Sequence, residues 1–368
     1  MKRILLFTVF LFICFACKID KNKVVVEEKI VNEVPQRLFT EVSIEPIIVN
    51  DSLSIRGLEI LNDSVLGYAS NKGFGVVTIT NDTVTIGNSY AAYLKLNPTE
   101  TTLSFRSLAI NNDKIFGLSI GNPALLIEDV IHEVSNPKVR YTESHEKVFY
   151  DAMMFWNAKE GIAMGDPTHN CLSVIITRDG GKTWNKVPCE KLPEVVTGEA
   201  AFAASDTNIA VVDNHTWILS GGAKSRVFYS PDKGNSWEVY DTPLLQGEGS
   251  QGGYSIAFFD ALNGFIIGGD YTKAEANNGN KAVTKDGGKT WRLVAEDAEP
   301  DYRSCVQYIP NNKGNELVAV GFRGISYSND YGENWNKLSD ASFFTIRFLN
   351  DSTAFAAGRG GIAKLLFK

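Results

Sequence analysis

One eight-residue pattern, present four times, constrains this chain more than any other feature. The copies are Thr177-Arg-Asp179-Gly-Gly181-Lys-Thr-Trp184, Ser230-Pro-Asp232-Lys-Gly234-Asn-Ser-Trp237, Thr284-Lys-Asp286-Gly-Gly288-Lys-Thr-Trp291 and Ser328-Asn-Asp330-Tyr-Gly332-Glu-Asn-Trp335. An aspartate in a tight turn accepts hydrogen bonds from nearby backbone N–H groups. The glycine supplies a positive-φ conformation, and the tryptophan packs between neighbouring sheets. Each copy therefore closes a hairpin, and Asp179, Asp232, Asp286 and Asp330 read as turn builders rather than as catalytic or ligating groups.

A weaker pattern covers more of the chain. Strand-like runs start at Arg56-Gly57, Arg106-Ser107, Asp151-Ala152, Glu199-Ala200, Tyr254-Ser255, Arg303-Ser304 and Phe344-Thr345, by subtraction at intervals of 50, 45, 48, 55, 49 and 41 residues. Such a period suits a four-stranded blade. The last repeat stops after Ile362-Ala-Lys-Leu-Leu-Phe367, one strand short, and Glu41-Val-Ser-Ile-Glu-Pro-Ile-Ile48 can supply the missing strand and cover the open edge. The expected fold is all-β: a seven-bladed β-propeller over residues 41–368, closed by an N-terminal strand. The 32 Gly and 40 aromatic residues (21 Phe, 13 Tyr, 6 Trp) agree with short strands and many turns.

The repeated turn resembles the Asp box of sialidase-type propellers. Stretches such as 149–167, 255–271 and Tyr302-Arg-Ser304 resemble a bacterial family of YVTN/BNR-like repeat proteins over roughly residues 50–368. More distantly they are similar to the photosystem II stability and assembly factor family, which implies a seven-bladed, non-enzymatic assembly helper. Members of the bacterial family are often labelled oxidoreductase or glycosyl hydrolase, but the resemblance carries no catalytic residues onto this chain.

The first seventeen residues place Lys2 and Arg3 before a mostly apolar run ending in Ala16-Cys17. That layout is a signal peptide with a loose lipobox, making Cys17 the lipidated residue and the bacterial cell envelope the expected location. Residues 18–40 are charged and lack glycine, and read as a tether. In an exported domain, Cys171 and Cys189 lie equally far from Gly180, so a hairpin turning there leaves two options open, a disulfide or two buried thiols. The net charge of −7 and the lack of a basic tract argue against nucleic acid as partner.

In a propeller the seven strand starts surround one channel mouth, away from the Asp boxes. The candidate site is therefore Arg56, Arg106, Asp151, Glu199, Tyr254, Arg303 and Phe344, with Asp166, His169, Asp270, Tyr271, Arg323 and Arg359 on loops above. Arginines on one arc can clamp a carboxylate or phosphate; equally, the ring can consist of salt bridges between blades. His169 with Asp166 is too small a ligand set for a metal, and His132, His145 and His215 lack ligand spacing. Gly247-Glu-Gly249-Ser-Gln-Gly252 precedes a strand and opens no helix, so it lacks the context of a dinucleotide fingerprint. The expectation is a monomeric binding or assembly module without cofactor or metal, whose partner is a protein or an anionic glycan or small molecule. The alternative is a sialidase-like glycoside hydrolase, whose chemistry uses three arginines, a Tyr with a Glu, and an Asp.

Overall fold

The computed structural model describes residues 37–81, 83–97, 103–131 and 135–368. The proposed signal peptide, Cys17, most of the tether and His132 lie outside the described residues.

The described residues fold as an all-β propeller of antiparallel strands, with one short α-helix among them, Ser89–Leu96. The described strands form six hydrogen-bonded sheets, not the seven expected from the repeat count. The reason is a strand that does not break. Val42–Asn62 pairs first with Thr353–Phe367, from Val42 opposite Phe367 to Ser54 opposite Arg359, and then with Val65–Ser70, from Ile55 opposite Ser70 to Asn62 opposite Val65. Thr353–Phe367 likewise serves two partners, since its residues 354–357 pair with Thr345–Phe348. The N-terminal strand thus completes the sheet made by the chain's last strands and continues into the next one. At the end of the segment read as a tether, Phe39 is buried against Tyr327 and Phe367, and Arg37 pairs with Glu316 at 2.9 Å.

The Asp boxes are built as the sequence suggests. Asp179 Oδ1 accepts the Thr183 N–H at 2.9 Å, the Thr177 hydroxyl accepts the Gly181 N–H at 2.9 Å, and the Trp184 indole donates to the Gly181 carbonyl at 3.2 Å. The other three boxes repeat this arrangement. Gly181, at φ 85°, permits close packing as well as the turn: a Cβ there would lie 2.4 Å from Phe116 on the neighbouring sheet. Phe116, Phe155 and Trp184 then fill the space between sheets. Cys171 and Cys189 form a disulfide with Cα atoms 5.5 Å apart, and Cys305 is a buried free thiol.

One repeat departs from the pattern. After Glu199–Ala200 the chain does not continue as an inner strand but runs through residues 201–208 before strand Ile209–Val212 begins. This insertion reaches the inner strands of the other repeats. The Ala204 carbonyl accepts from Arg56 at 3.1 Å, the Ala203 carbonyl from Arg106 at 3.4 Å, and Asp206 from the Leu108 and Met153 N–H groups at 3.0 and 3.2 Å. Thr207 bonds Ser255 at 2.8 Å, the Ser205 hydroxyl donates to the Ser304 carbonyl at 2.6 Å, and Thr345 donates to the Ser205 carbonyl at 2.9 Å. Asp206 holds a left-handed φ of 60°, a conformation that aspartate tolerates better than most residues. The segment is a plug across the channel.

Candidate functional site

Above the plug lies a cavity of about 470 Å³. Its floor is Ala200–Ala204, and Arg56, Arg106, Tyr254 and Phe344 from the expected ring, with Asp166 and Tyr271 from the loops above it, all line it. Phe149, Phe202, Tyr302 and Phe322 complete an aromatic wall that no motif announced. Phe202 lies flat on Tyr254, with ring centres 4.1 Å apart, and Tyr302 meets Tyr254 edge-on at 4.9 Å.

The two arginines are held by weak partners. Arg56 stacks over Phe344 at 4.2 Å and Arg106 over Phe149 at 5.6 Å. Each guanidinium makes one hydrogen bond, to a plug carbonyl, and among the described residues neither has a carboxylate within ion-pair distance. Burial lowers the pKa of Arg56 to about 10, and repulsion from Arg106 adds to it. Arg106 is lowered by burial and partly restored by the negative field of Asp151. Stacked on a ring, each guanidinium keeps its N–H edge for a ligand.

Asp151 lies in the wall behind Arg106, wholly buried, with no well-formed hydrogen bond to either oxygen. Burial raises its pKa well above the carboxylate range, the neighbouring Asp166 raises it further, and Arg106 pulls it back only in part. Asp166, whose Oδ1 accepts the Ala201 N–H at 2.8 Å, is raised by burial to about 6.

The remaining candidates do not face the cavity. Glu199 is buried in a bidentate pair with Arg226, at 3.0 Å to Nε, and also accepts from the Ser220 hydroxyl. Arg303 is wholly buried and bound by Asp301, by Glu299 at 2.6 Å and by Ser326 at 2.9 Å. Asp270 caps the turn Tyr271–Lys273 through the Thr272 N–H at 2.9 Å. Arg323 pairs with Asp301 at 2.6 Å, and Arg359 is exposed opposite Ser54. His169 lies against His145 in an adjoining groove, and His215 bonds Tyr229 at 2.7 Å. These residues show why pattern alone overcounted the ring: two of its charged members, Glu199 and Arg303, are consumed by neighbouring chain. The plug had one sequence trace, the 55-residue interval after Glu199, the longest of the six.

The BNR/Asp-box repeat family matches residues 175–186, the hairpin around Asp179. The chain carries Asp-box repeats on a propeller fold. Among curated proteins, no sequence matches it. Solved structures similar to this Asp-box propeller include YCF48 bound to D1 peptide (TM-score 0.60, 13% identity, 88% of this chain and 95% of that one). YCF48 from Cyanidioschyzon merolae is similar as well (0.61, 11%, 89% and 98%). So is the GH74 xyloglucanase from Xanthomonas campestris (0.59, 12%, 88% and 53%). A peptide-bound protein and a glycoside hydrolase share this likeness, so it speaks for the fold alone. The three-arginine constellation of a sialidase-like site is not assembled in the cavity, since Arg303 is turned away and Glu199 is paired elsewhere; Tyr254 donates to the Ser250 carbonyl instead of to a carboxylate.

Proposed function

We propose that this Asp-box propeller is a binding or assembly module that takes an anionic group of a protein partner into the cavity at Arg56 and Arg106. The observation that carries it is two half-buried cations that, among the described residues, have no carboxylate within ion-pair distance, in a cavity whose wall is largely aromatic. A buried charge without a partner is costly, and an incoming carboxylate relieves that cost in a medium less polarisable than water. The peptide held by one similar propeller favours a protein segment over a free small anion. We read the sheet that joins both chain ends as two blades, which makes a seven-bladed ring; the two partners each of Val42–Asn62 and Thr353–Phe367 support this.

The test is titration with N-acetyl-L-phenylalanine and with its C-terminal amide, which differ only in the carboxylate. The acid is expected to bind and the amide not. Arg56→Gln or Arg106→Gln should weaken the acid by about 1.5 to 3 kcal/mol, the worth of a charge-assisted hydrogen bond, and reduce the salt dependence. Equal binding of acid and amide would overturn the reading.

The module is also proposed to be exported and anchored in the bacterial cell envelope through Cys17, on the strength of the charged start, short apolar run and Ala16-Cys17. Cys17→Ser should move the protein from the membrane to the soluble fraction, and unchanged membrane association would count against the anchor.

A further inference from the structure

We infer that the cavity captures its anion together with one proton, held on Asp166, so that Asp166 decides under which conditions the site is filled. The inference rests on the proposed anion site and adds its regulation.

The geometry is specific. Asp166 directly follows strand Gly161–Gly165, and its own N–H donates to the Phe149 carbonyl at 2.8 Å. Its Oδ1 is tied to the floor by the Ala201 N–H, whereas Oδ2 has no hydrogen bond among the described residues. Among the described residues, no lysine or arginine lies within ion-pair distance of it. Behind it, on strand Tyr150–Phe155, sits Asp151, a carboxyl sealed from water and without a well-formed hydrogen bond. The carboxyl of Asp166 therefore lines the same cavity as the two unpaired arginines, and its charge helps to raise the pKa of the neighbouring Asp151.

The other charged groups around Asp166 are few. Strand Ser104–Asn111 contributes Arg106, and the floor contributes the Ala201 N–H. The adjoining groove adds Lys147, His169 with His145 against it, and Glu199, which Arg226 already neutralises. Burial raises the pKa of Asp166 to about 6, and the variants below separate its contribution from that of neighbouring side chains.

An ionised Asp166 would oppose an entering carboxylate, whereas a protonated one offers an O–H donor at Oδ2. Entry of the anion thus draws one proton from solvent onto Asp166, and no covalent bond changes. The sign follows from a pKa raised further in the complex: affinity is full below the free-site midpoint and falls about tenfold per pH unit above it.

The experiment is calorimetric titration of the intact protein with N-acetyl-L-phenylalanine from about pH 5 to 8, in two buffers of different ionisation heat. The expected result is the tenfold-per-unit fall above about pH 6, with uptake approaching one proton per ligand. Asp166→Asn, which replaces the acid by a permanently neutral donor, should bind at the upper pH as wild type binds at the lower, with no proton uptake. His169→Gln should leave the slope in place. Uptake that persists in Asp166→Asn, or a slope lost in His169→Gln, would overturn the inference while leaving the anion site intact. If the probe binds at no pH, the anion site fails on its own account, and carbon NMR of the free protein decides for Asp166. A carboxyl midpoint near pH 6 that disappears in Asp166→Asn supports the proton-holding role, and a midpoint near 4 removes it.

Discussion

Arg56 and Arg303 hold equivalent places in the sequence repeat, and the protein uses them in opposite ways. Arg303 is wholly buried among Asp301, Glu299 and Ser326, whereas Arg56 is half-buried, rests on Phe344 and reaches only a backbone carbonyl. Position in the repeat thus sets where a side chain starts but not what it meets. Local sequence makes the difference: two of the four residues before Arg303 are acidic, whereas the four before Arg56 and the four before Arg106 include no acid. One arginine is stitched to its own loop, and the other two are left for a ligand.

The largest expected effect comes from breaking the closed side of this comparison. Arg303→Gln should cost about 2 to 4 kcal/mol of stability, somewhat below the value for fully buried pairs because Glu299 and Asp301 are partly exposed. Denaturant unfolding measures it. Arg56→Gln, tested in the same way, should change stability little while lowering affinity; a loss equal to that of Arg303→Gln would make both arginines structural.

A smaller effect separates carboxylates in the same manner. Burial works against the charge of Asp286, but its hydrogen bonds from Thr290 and Thr284 outweigh it and hold the pKa below the ordinary value, while at Asp151 burial outweighs the pull of Arg106 and of the Ala203 backbone and raises it. Asp286→Ala should lower stability by about 1 to 3 kcal/mol, by leaving turn N–H groups unsatisfied, and leave probe affinity of the folded protein unchanged. Selective loss of binding at full stability would assign the Asp boxes a role in recognition.

The Asp boxes were legible from sequence because every bond that builds them spans four residues or fewer. The repeat period likewise announced the propeller, down to the N-terminal strand beside Thr353–Phe367. The separate-sheet count was not legible, since a strand that runs from one ladder into the next leaves no turn signal at the junction.

The candidate site divides along the same physical line. Its residue types and the face on which they gather follow from the repeat, as Arg56, Arg106 and Tyr254 do. Which of them stay free was decided in three dimensions. The plug carbonyls that Arg56 and Arg106 meet come from 148 and 97 residues away, and Glu199 is lost to Arg226 at a separation of 27. Sequence alone determined the hairpins and the period because those interactions close within a few residues. Only the tertiary structure settled the cavity, its floor and its unpaired charges, because each depends on burial and on partners that the folded ring brings together from distant repeats.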